Sequence, residues 1–251
     1  MYYWQAILLG IIEGATEFLP ISSTFHLIWA SKILQIPQTE FLKLFEVAIQ
    51  GGAILAVLVL YGKRISTKVM VSFIPTAIVG LVLYKIIKGI FFENMILQLS
   101  VFAGVGIIFL VFERFYKKQN KKIEDLSYGQ ALIIGLIQAL AVVPGVSRAG
   151  AVMLGMMGMG VSREESAKYS FLLAVPTILA ASLYDLWKMR SLLTGQSENI
   201  QLLILGSIAA FIGALVIIKW FIGFLQKNTL EGFGWYRLIL VAILFKLLYQ
   251  S

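Results

Sequence analysis

Long apolar stretches follow one another along this chain, and they restrict the folds that it can adopt. A helix needs about 20 residues to cross the hydrocarbon core of a bilayer, and six stretches reach that length. Only 14% of the residues are charged, against roughly 25% in soluble domains. Helices satisfy their own backbone in lipid, so the sequence predicts an all-α integral membrane protein. The six predicted spans are residues 42–60, 69–88, 95–113, 166–187, 200–225 and 234–250.

Two further apolar stretches, residues 4–33 and 129–160, are interrupted near their middle. Pro20 interrupts the first stretch, and Pro144-Gly145 interrupts the second. Proline lacks an amide donor and clashes with the preceding helical turn, so each stretch is expected to form two half-helices with a break between them. Broken backbone at membrane depth is tolerated only where it is buried or lines a cavity. We therefore predict two re-entrant helical hairpins.

The order of elements suggests an internal repeat, because one broken hairpin followed by three spans occurs twice. An odd number of crossings inverts the second half relative to the first, an arrangement that places binding sites near the bilayer midplane in many transporters. The chain is thus predicted to be a single membrane domain, residues 1–251, with two inverted-topology repeats. Repeat one covers about 1–113, a basic linker covers 114–127, and repeat two covers about 128–251.

Loop charges predict the orientation of these spans. Cytoplasmic loops are enriched in Lys and Arg. Placing the 61–68, 114–127, 161–168 and 226–233 loops in the cytoplasm gives that side Lys63, Arg64, Lys68, Arg114, Lys117, Lys118, Lys121, Lys122, Arg163, Lys168 and Lys227. The opposite side then receives Lys85, Lys88, Lys188 and Arg190. In this orientation the first hairpin enters from outside, and the site is expected to open to the periplasm or cell exterior.

The net charge of +8 is attributed to these loops and their contacts with anionic lipid headgroups. No basic stripe is interleaved with stacking aromatic residues, so nucleic-acid binding is not expected. The chain has no cysteine, which excludes disulfides, thiolate metal sites and cysteine nucleophiles.

The first interrupted stretch carries a dense group of polar residues. Glu13 and Glu17 are four residues apart and share one helix face, where their like charges repel. A divalent cation, a shared proton or an apposed arginine would offset that repulsion. Ionisable groups at membrane depth are costly and point to a functional site. The group as a whole comprises Glu13, Glu17, Ser22, Ser23, Thr24 and His26.

The hydroxyl residues of this group lie where a second half-helix is expected to begin. They can cap its free amides, and the same helix N-terminus can bind an anion such as phosphate. His26, the only histidine in the chain, follows Ser23 by about one helical turn. Its imidazole can act as a base toward a serine hydroxyl or attack phosphorus itself. Glu46, Gln50 and Gln138 are further candidates to line the same cavity.

The second interrupted stretch adds a cation. Pro144-Gly145-Val146-Ser147-Arg148 predicts a glycine-containing turn that opens a helix. An arginine at a helix N-terminus is electrostatically unfavourable unless an anion is shared there. Its guanidinium forms a bidentate fork that suits phosphate oxygens. Pairing of Arg148 with Glu13 or Glu17 is the alternative.

Together the two motifs resemble the undecaprenyl pyrophosphate phosphatase family, the membrane enzymes associated with bacitracin resistance. The first motif is similar to the family's glutamate-rich stretch, and the second is similar to its Pro-Gly-x-Ser-Arg stretch. The segment from Ser162 to Thr177 also resembles family sequence. The resemblance implies a hydrolase of the bacterial inner (plasma) membrane that converts undecaprenyl diphosphate to the monophosphate, recycling the lipid carrier for peptidoglycan and cell-wall synthesis.

The resemblance also implies site residues and a divalent cation, Mg²⁺ or Ca²⁺. Catalytic roles fall on Glu13, Glu17, Ser23, His26 and Arg148, and metal binding falls on Glu13 and Glu17. Substrate binding falls on Ser22, Thr24, Gly145, Ser147 and Arg148. Three positions depart from the usual pattern: Phe25 replaces a glycine, and Ala149 and Val152 replace a serine and a threonine. Two hydroxyls are therefore missing from the second motif.

These residues suggest a mechanism in which Arg148 and loop amides hold the diphosphate. Ser23 is the favoured nucleophile, with His26 or Glu17 as its base; attack by His26 itself and attack by metal-activated water are the alternatives. The expected partners are a polyprenyl diphosphate and membrane lipids, and oligomerisation is compatible with the sequence. A different functional class, a lipid-carrier flippase or transporter, would also use inverted repeats. The enzyme hypothesis requires the two hairpins to meet, bringing Arg148 within reach of Ser23 and Glu17.

Overall fold

The structure is a computed structural model, and it describes residues 1–91, 94–117 and 119–250. Side chains are described except at 84–91 and 248–250, so Lys85, Lys88 and Lys118 of the loop-charge count lie outside the described side chains. The described residues form α-helices and short 3₁₀ turns without a β-strand; a single β-bridge joins Lys121 and Val161. The helices are α1 Tyr3–Thr16, α2 Ser23–Ile33, α3 Glu40–Tyr61, α4 Thr67–Phe91, α5 Met95–Phe115, α6 Tyr128–Ala139, α7 Arg148–Gly158, α8 Arg163–Lys188, α9 Ser197–Leu225 and α10 Glu231–Gln250.

Four described helices are long and apolar enough to cross a bilayer: α3 with its following turn, α5, α8 and α9. Their outward faces are apolar; Val59 of α3 is 69% exposed and Val216 of α9 is 63% exposed. Apolar side chains on that surface suit contact with lipid rather than water. The predicted all-α, multi-pass membrane protein is confirmed at this level. Helices α4 and α10 lie where spans were predicted, but their crossing of the membrane stays a prediction.

The two predicted helix breaks are present. Helix α1 ends at Thr16 and α2 begins at Ser23, which leaves a first break at residues 17–22. Helix α6 ends at Ala139 and α7 begins at Arg148, which leaves a second break at residues 140–147. The half-helices α2 and α7 are each 11 residues long. The re-entrant path of the hairpins stays a prediction.

The chain forms two compact units. The first unit comprises Met1–Leu19, Ser23–Ser66 and Phe171–Phe221, and the second comprises Pro20–Ser22, Thr67–Ser170 and Ile222–Ser251. Each unit therefore combines segments from both halves of the sequence. The predicted repeats are consecutive halves of the sequence, so these units do not correspond to them. The boundaries of the repeats stay a prediction.

Small residues allow close helix packing in the first unit. A side chain at Gly10 of α1 would collide with the carbonyl oxygen of Gly206 on α9, and one at Gly14 would collide with that of Ala210. Gly206 in turn faces the ring of Phe45 on α3. Backbones that approach this closely gain packing energy that lipid tails cannot supply. The packing fixes α1, which carries Glu13 and ends next to Glu17.

The second unit has an equivalent contact between α6 and α4. A side chain at Gly135 of α6 would collide with the carbonyl oxygen of Ser72 on α4. The Ser72 hydroxyl donates to the Ala131 carbonyl at 2.7 Å, and the Thr76 hydroxyl donates to the Gly135 carbonyl at 2.8 Å. These bonds fix α6, which leads directly into the second break.

A buried acid joins three helix ends of the second unit. Glu113, near the end of α5, accepts two hydrogen bonds from Arg163 at the start of α8. The same carboxylate accepts the Leu230 amide at 2.9 Å, immediately before α10. The Arg163 guanidinium also lies 4.5 Å from the centre of the Tyr116 ring. A bidentate, additionally hydrogen-bonded pair is the geometry that compensates burial of two charges.

Candidate functional site

The two predicted carboxylates lie at the end of α1. Glu13 is fully buried, and Glu17 is 8% exposed at the C-terminal cap. The Glu17 amide donates to the Glu13 carbonyl at 2.9 Å, so the helical path continues to Glu17 and keeps both residues on one face. Two acids this deeply buried are expensive unless their charge is compensated.

Ser23 is the residue that the structure pairs with one of these acids. It is the first residue of α2 and is 6% exposed. Its hydroxyl donates a short hydrogen bond to the Glu17 carboxylate across the first break. A carboxylate that accepts a hydroxyl proton is placed to act as its base. Of the two bases predicted for Ser23, Glu17 is therefore in contact with it.

Thr24 and His26 are half-buried on α2, next to buried Phe25. His26 follows Ser23 by three residues, which places both on one helix face. The Phe25 ring meets the imidazole edge-on with centroids 5.9 Å apart, and it also packs against Trp29. The phenyl group that replaces the usual glycine is thus a core residue that limits how the imidazole can turn.

Both breaks end in a serine with left-handed backbone. Ser22 has φ +66° and Ser147 has φ +73°. Non-glycine residues rarely adopt this conformation, and such strain concentrates at functional sites. Serine has no special preference for positive φ, so this conformation could not be predicted from the residue type. Ser22, which belongs to the second unit with Pro20, is itself buried.

The second break is shaped by Gly145 and capped by Ser147. Gly145 has φ +99°, and a side chain there would lie 3.1 Å from the carbonyl oxygen of Gln98. The Ser147 hydroxyl accepts the Gly150 amide at 3.2 Å, so it caps α7. Capping by a hydroxyl was predicted for the first stretch; the structure shows it at Ser147 of the second.

Arg148 is the first residue of α7, as predicted. One of its terminal nitrogens donates to the Ser170 carbonyl on α8 at 2.8 Å. That bond holds the guanidinium beside the α7 N-terminus, where a shared anion would offset the unfavourable charge. Ala149 and Val152, which replace the usual hydroxyls, are buried apolar residues of the second unit.

The further candidates to line the cavity lie on α6 and α3. Gln138, the counterpart of Glu13 in the second half, donates from its side chain to the Thr76 hydroxyl at 3.0 Å and is tied to α4. Glu46 and Gln50 are half-buried on α3.

The structure thus groups the predicted residues by unit. Glu13, Glu17, Ser23, Thr24 and His26 lie in the first unit. The others, Ser22, Gly145, Ser147 and Arg148, lie in the second. The meeting of Arg148 with Ser23 and Glu17 stays a prediction.

Sequence reasoning missed Arg237, which is fully buried on α10. Its guanidinium donates to Pro20 of the first break and to Gly145 and Val146 of the second. A lone arginine inside the apolar stretch 234–250 was the available signal, since such residues mark functional sites by default. The apolar length of the stretch by itself predicts only a span.

The carboxylates of the site meet part of what a divalent cation needs. Within the described part of the chain, no three His, Asp or Glu side chains are grouped to hold a metal ion. Glu13 and Glu17 nonetheless offer carboxylate oxygens from adjacent turns. Mg²⁺ is commonly bound by one or two carboxylates together with substrate phosphates. Glu13 and Glu17 fit a site of this kind, in which substrate phosphates complete the binding of the ion.

The family model for bacitracin resistance protein BacA matches residues 6–243. The chain belongs to the BacA family. A relative from Aquifex aeolicus (strain VF5) is 45% identical over 249 residues, 96% of this chain and 96% of the relative. Another, from Persephonella marina (strain DSM 14350 / EX-H1), is 45% identical over 245 residues, 94% of this chain and 95% of the relative. Both relatives are named undecaprenyl-diphosphatase.

A third relative with that name, from Bdellovibrio bacteriovorus, is 42% identical over 260 residues and covers 100% of this chain. Membership in the BacA family therefore extends over both broken stretches and the spans that follow them. The resemblance read from the two motifs is confirmed.

Proposed function

We infer that this chain is a membrane phosphatase that hydrolyses undecaprenyl diphosphate to undecaprenyl phosphate and inorganic phosphate. The observation that carries the assignment is the buried Ser23–Glu17 hydrogen bond in a chain of the BacA family. The product is the lipid carrier of cell-wall synthesis, and the family description links these proteins to bacitracin resistance. The names of the relatives favour hydrolysis over the flippase or transporter alternative.

We propose that Ser23 is the nucleophile and Glu17 its base. The Ser23 oxygen attacks the terminal phosphorus while its proton passes to Glu17. The bond from that phosphorus to the bridging oxygen breaks, and undecaprenyl phosphate leaves. Water then hydrolyses the phosphoserine and releases inorganic phosphate. The hydrogen bond between the two side chains supports this assignment over attack by His26 or by metal-activated water.

Arg148 is proposed to hold the diphosphate. Its planar fork matches two phosphate oxygens, and the bond to the Ser170 carbonyl holds the guanidinium beside the α7 N-terminus. Ser22, Thr24, Gly145 and Ser147 shape the two helix N-termini, whose amides supply additional donors to an anion. Such preorganised donors stabilise the charge that develops on the transferring phosphoryl group.

Glu13 and Glu17 are proposed to hold Mg²⁺ or Ca²⁺ together with substrate oxygens. When bound, the cation would neutralise phosphate charge and polarise the phosphoryl group. The buried position of both carboxylates supports this proposal. Glu13 takes no other role in the mechanism.

The assignment is tested with purified protein in detergent, where no membrane gradient exists. The protein is expected to release phosphate from undecaprenyl diphosphate. A chelator is expected to stop this release, and added Mg²⁺ or Ca²⁺ is expected to restore it. Glu17→Gln removes the base and is expected to lower the rate at least about 100-fold, the usual scale for general-base catalysis. Glu198→Gln, at the start of α9, is the matched control. Unchanged release by the Glu17 variant would contradict the assignment.

The two-repeat architecture is proposed on three internal correspondences. Helices α2 and α7 have the same length, and each follows a serine with positive φ. In the first unit α1 packs on α9 through Gly10, and in the second unit α6 packs on α4 through Gly135. In the proposed repeats α6 corresponds to α1 and α9 corresponds to α4. Each contact is thus the counterpart of the other, as inverted repeats require.

The protein is proposed to lie in the bacterial plasma membrane with its site open to the periplasm or cell exterior. Three contacts support the common side assigned to the basic loops, all within the second unit. Lys68 donates to the Glu124 carbonyl at 2.7 Å, Lys121 forms a β-bridge with Val161, and Gln226 donates to Glu164 at 3.4 Å. Loops that touch lie at the same membrane surface.

Single cysteines test the orientation, since the chain has none of its own. Exposed positions 35 and 63 flank α3, whose 22 residues span about 33 Å. An impermeant thiol reagent is expected to label Gln35→Cys in intact cells and Lys63→Cys only after lysis. The reverse pattern would place the first hairpin on the cytoplasmic side and refute the proposal.

A further inference from the structure

Arg237 is an arginine whose guanidinium is bound entirely by backbone. Its side chain is fully buried, and among the described residues no carboxylate forms an ion pair with it. An arginine has five N–H donors, and five hydrogen bonds are observed. Nε and Nη2 donate to the Pro20 carbonyl at 3.0 and 2.9 Å. Nη1 donates to Gly145 at 2.8 Å and Phe102 at 3.3 Å, and Nη2 also donates to Val146 at 3.2 Å.

Four of these five bonds have their acceptors in the two helix breaks; the fifth goes to α5. Pro20 precedes Ser23 by three residues, and Val146 precedes Arg148 by two. Carbonyls in a helix break lack the usual helical partner, and leaving them unsatisfied in an apolar surrounding is costly. One side chain therefore supplies donors to the carbonyls of both breaks.

The ring system around Arg237 keeps the guanidinium in place. Its central carbon lies 4.5 Å from the centre of the Phe102 ring and 5.4 Å from that of Phe109. Aromatic faces stabilise a desolvated cation. Gly106 of α5 lies against the Arg237 β-carbon, where an added methyl group would sit at 3.1 Å. These contacts therefore direct the Arg237 side chain toward the breaks.

The hydrogen bond to Val146 also sets the direction of the following amide. In a trans peptide the C=O and the next N–H point in opposite directions, and the described residues contain no cis peptide. Fixing the Val146 carbonyl on Arg237 therefore turns the Ser147 N–H away from Arg237. That amide belongs to the N-cap residue of α7, the helix that begins at Arg148.

We propose that Arg237 is a positioning residue for phosphate hydrolysis, which holds both breaks in the backbone conformation that catalysis needs. It acts through Pro20 and the Gly145–Val146 peptide and does not contact the substrate. This inference rests on the proposed function. Lysine keeps the charge at this position but lacks the planar fork and has three donors rather than five.

The test compares Arg237→Gln and Arg237→Lys with Lys246→Gln, an exposed charge on the same helix. With undecaprenyl diphosphate, Arg237→Gln is expected to lower kcat about 100-fold with KM within about threefold, because transition-state contacts are lost rather than uniform binding. Arg237→Lys is expected to recover part of kcat. Lys246→Gln is expected to leave both constants unchanged.

Hydrogen exchange gives a readout that does not need activity. In Arg237→Gln, exchange is expected to rise at least about tenfold in peptides covering residues 17–24 and 143–148, with the other helices unchanged. A uniform rise in exchange, or a loss of kcat that follows the loss of folded protein in both variants, would overturn the proposal. The proposal would also be overturned if the wild type is active and the kcat of Arg237→Gln lies within about threefold of the wild-type kcat. If the wild type itself releases no phosphate, the proposed function fails, while the exchange result still decides whether Arg237 holds the breaks.

Discussion

Ser23→Ala is expected to lower kcat for phosphate release at least about 1000-fold, because loss of a catalytic nucleophile costs a hydrolase several orders of magnitude in kcat. The substitution deletes the oxygen that donates to Glu17 at the start of α2. It removes little volume, so KM is expected to stay within about threefold. Steady-state kinetics in detergent measure both constants, and rapid quenching with labelled substrate should trap a phosphoserine only in the wild type.

Thr16→Val is the matched control for this prediction. Thr16 is a buried hydroxyl residue next to Glu17, but its hydroxyl donates to the Ile12 carbonyl within α1 at 2.6 Å. Valine keeps its shape, so activity is expected to stay near that of the wild type. Label found on His26 would transfer the nucleophile role to the imidazole. Label on neither residue would favour direct attack by water.

Arg148→Lys is expected to lower kcat/KM about 100-fold, because a lysine keeps the charge but loses the bidentate fork that grips phosphate. The remaining ammonium can replace the bond to the Ser170 carbonyl, so the fold should be preserved. We expect kcat to fall and KM to rise, since Arg148 binds both the ground state and the transition state. Inorganic phosphate should also inhibit the variant less strongly.

Arg190→Lys is the control for that change. Arg190 also donates to a backbone carbonyl, that of Trp187 at 2.9 Å, but it is exposed in the turn that follows α8. Its replacement is expected to leave kcat/KM unchanged. A similar loss in both variants would show that the effect of Arg148→Lys comes from the loss of an arginine-to-carbonyl bond and not from phosphate binding.

Local rules explain why the helices and their breaks were predictable. Pro20 and the Pro144-Gly145 pair stop helices by removing donors and clashing with the preceding turn, and both breaks are found at these residues. The start of α7 at Arg148 follows from a serine cap that needs only neighbouring residues. Spans such as α3 and α9 follow from apolar length alone.

The partners of polar residues were less predictable, because they depend on contacts between distant parts of the chain. Sequence spacing offered His26 or Glu17 as the base of Ser23, and only the fold of the first break places Glu17 in contact. Gln138 was a candidate for the site, yet its hydrogen bond to Thr76 joins residues 62 positions apart.

The sequence by itself determined the class of the molecule: a helical membrane protein with two interrupted stretches, carboxylates and hydroxyls on one, and an arginine on the other. These properties follow from composition and near-neighbour spacing. Only the tertiary structure decided what Arg237 does, since its acceptors Pro20 and Gly145 lie 217 and 92 residues away in the chain. Spacing cannot reveal such a contact, because a buried guanidinium is satisfied by whichever carbonyls the packed helices bring to it.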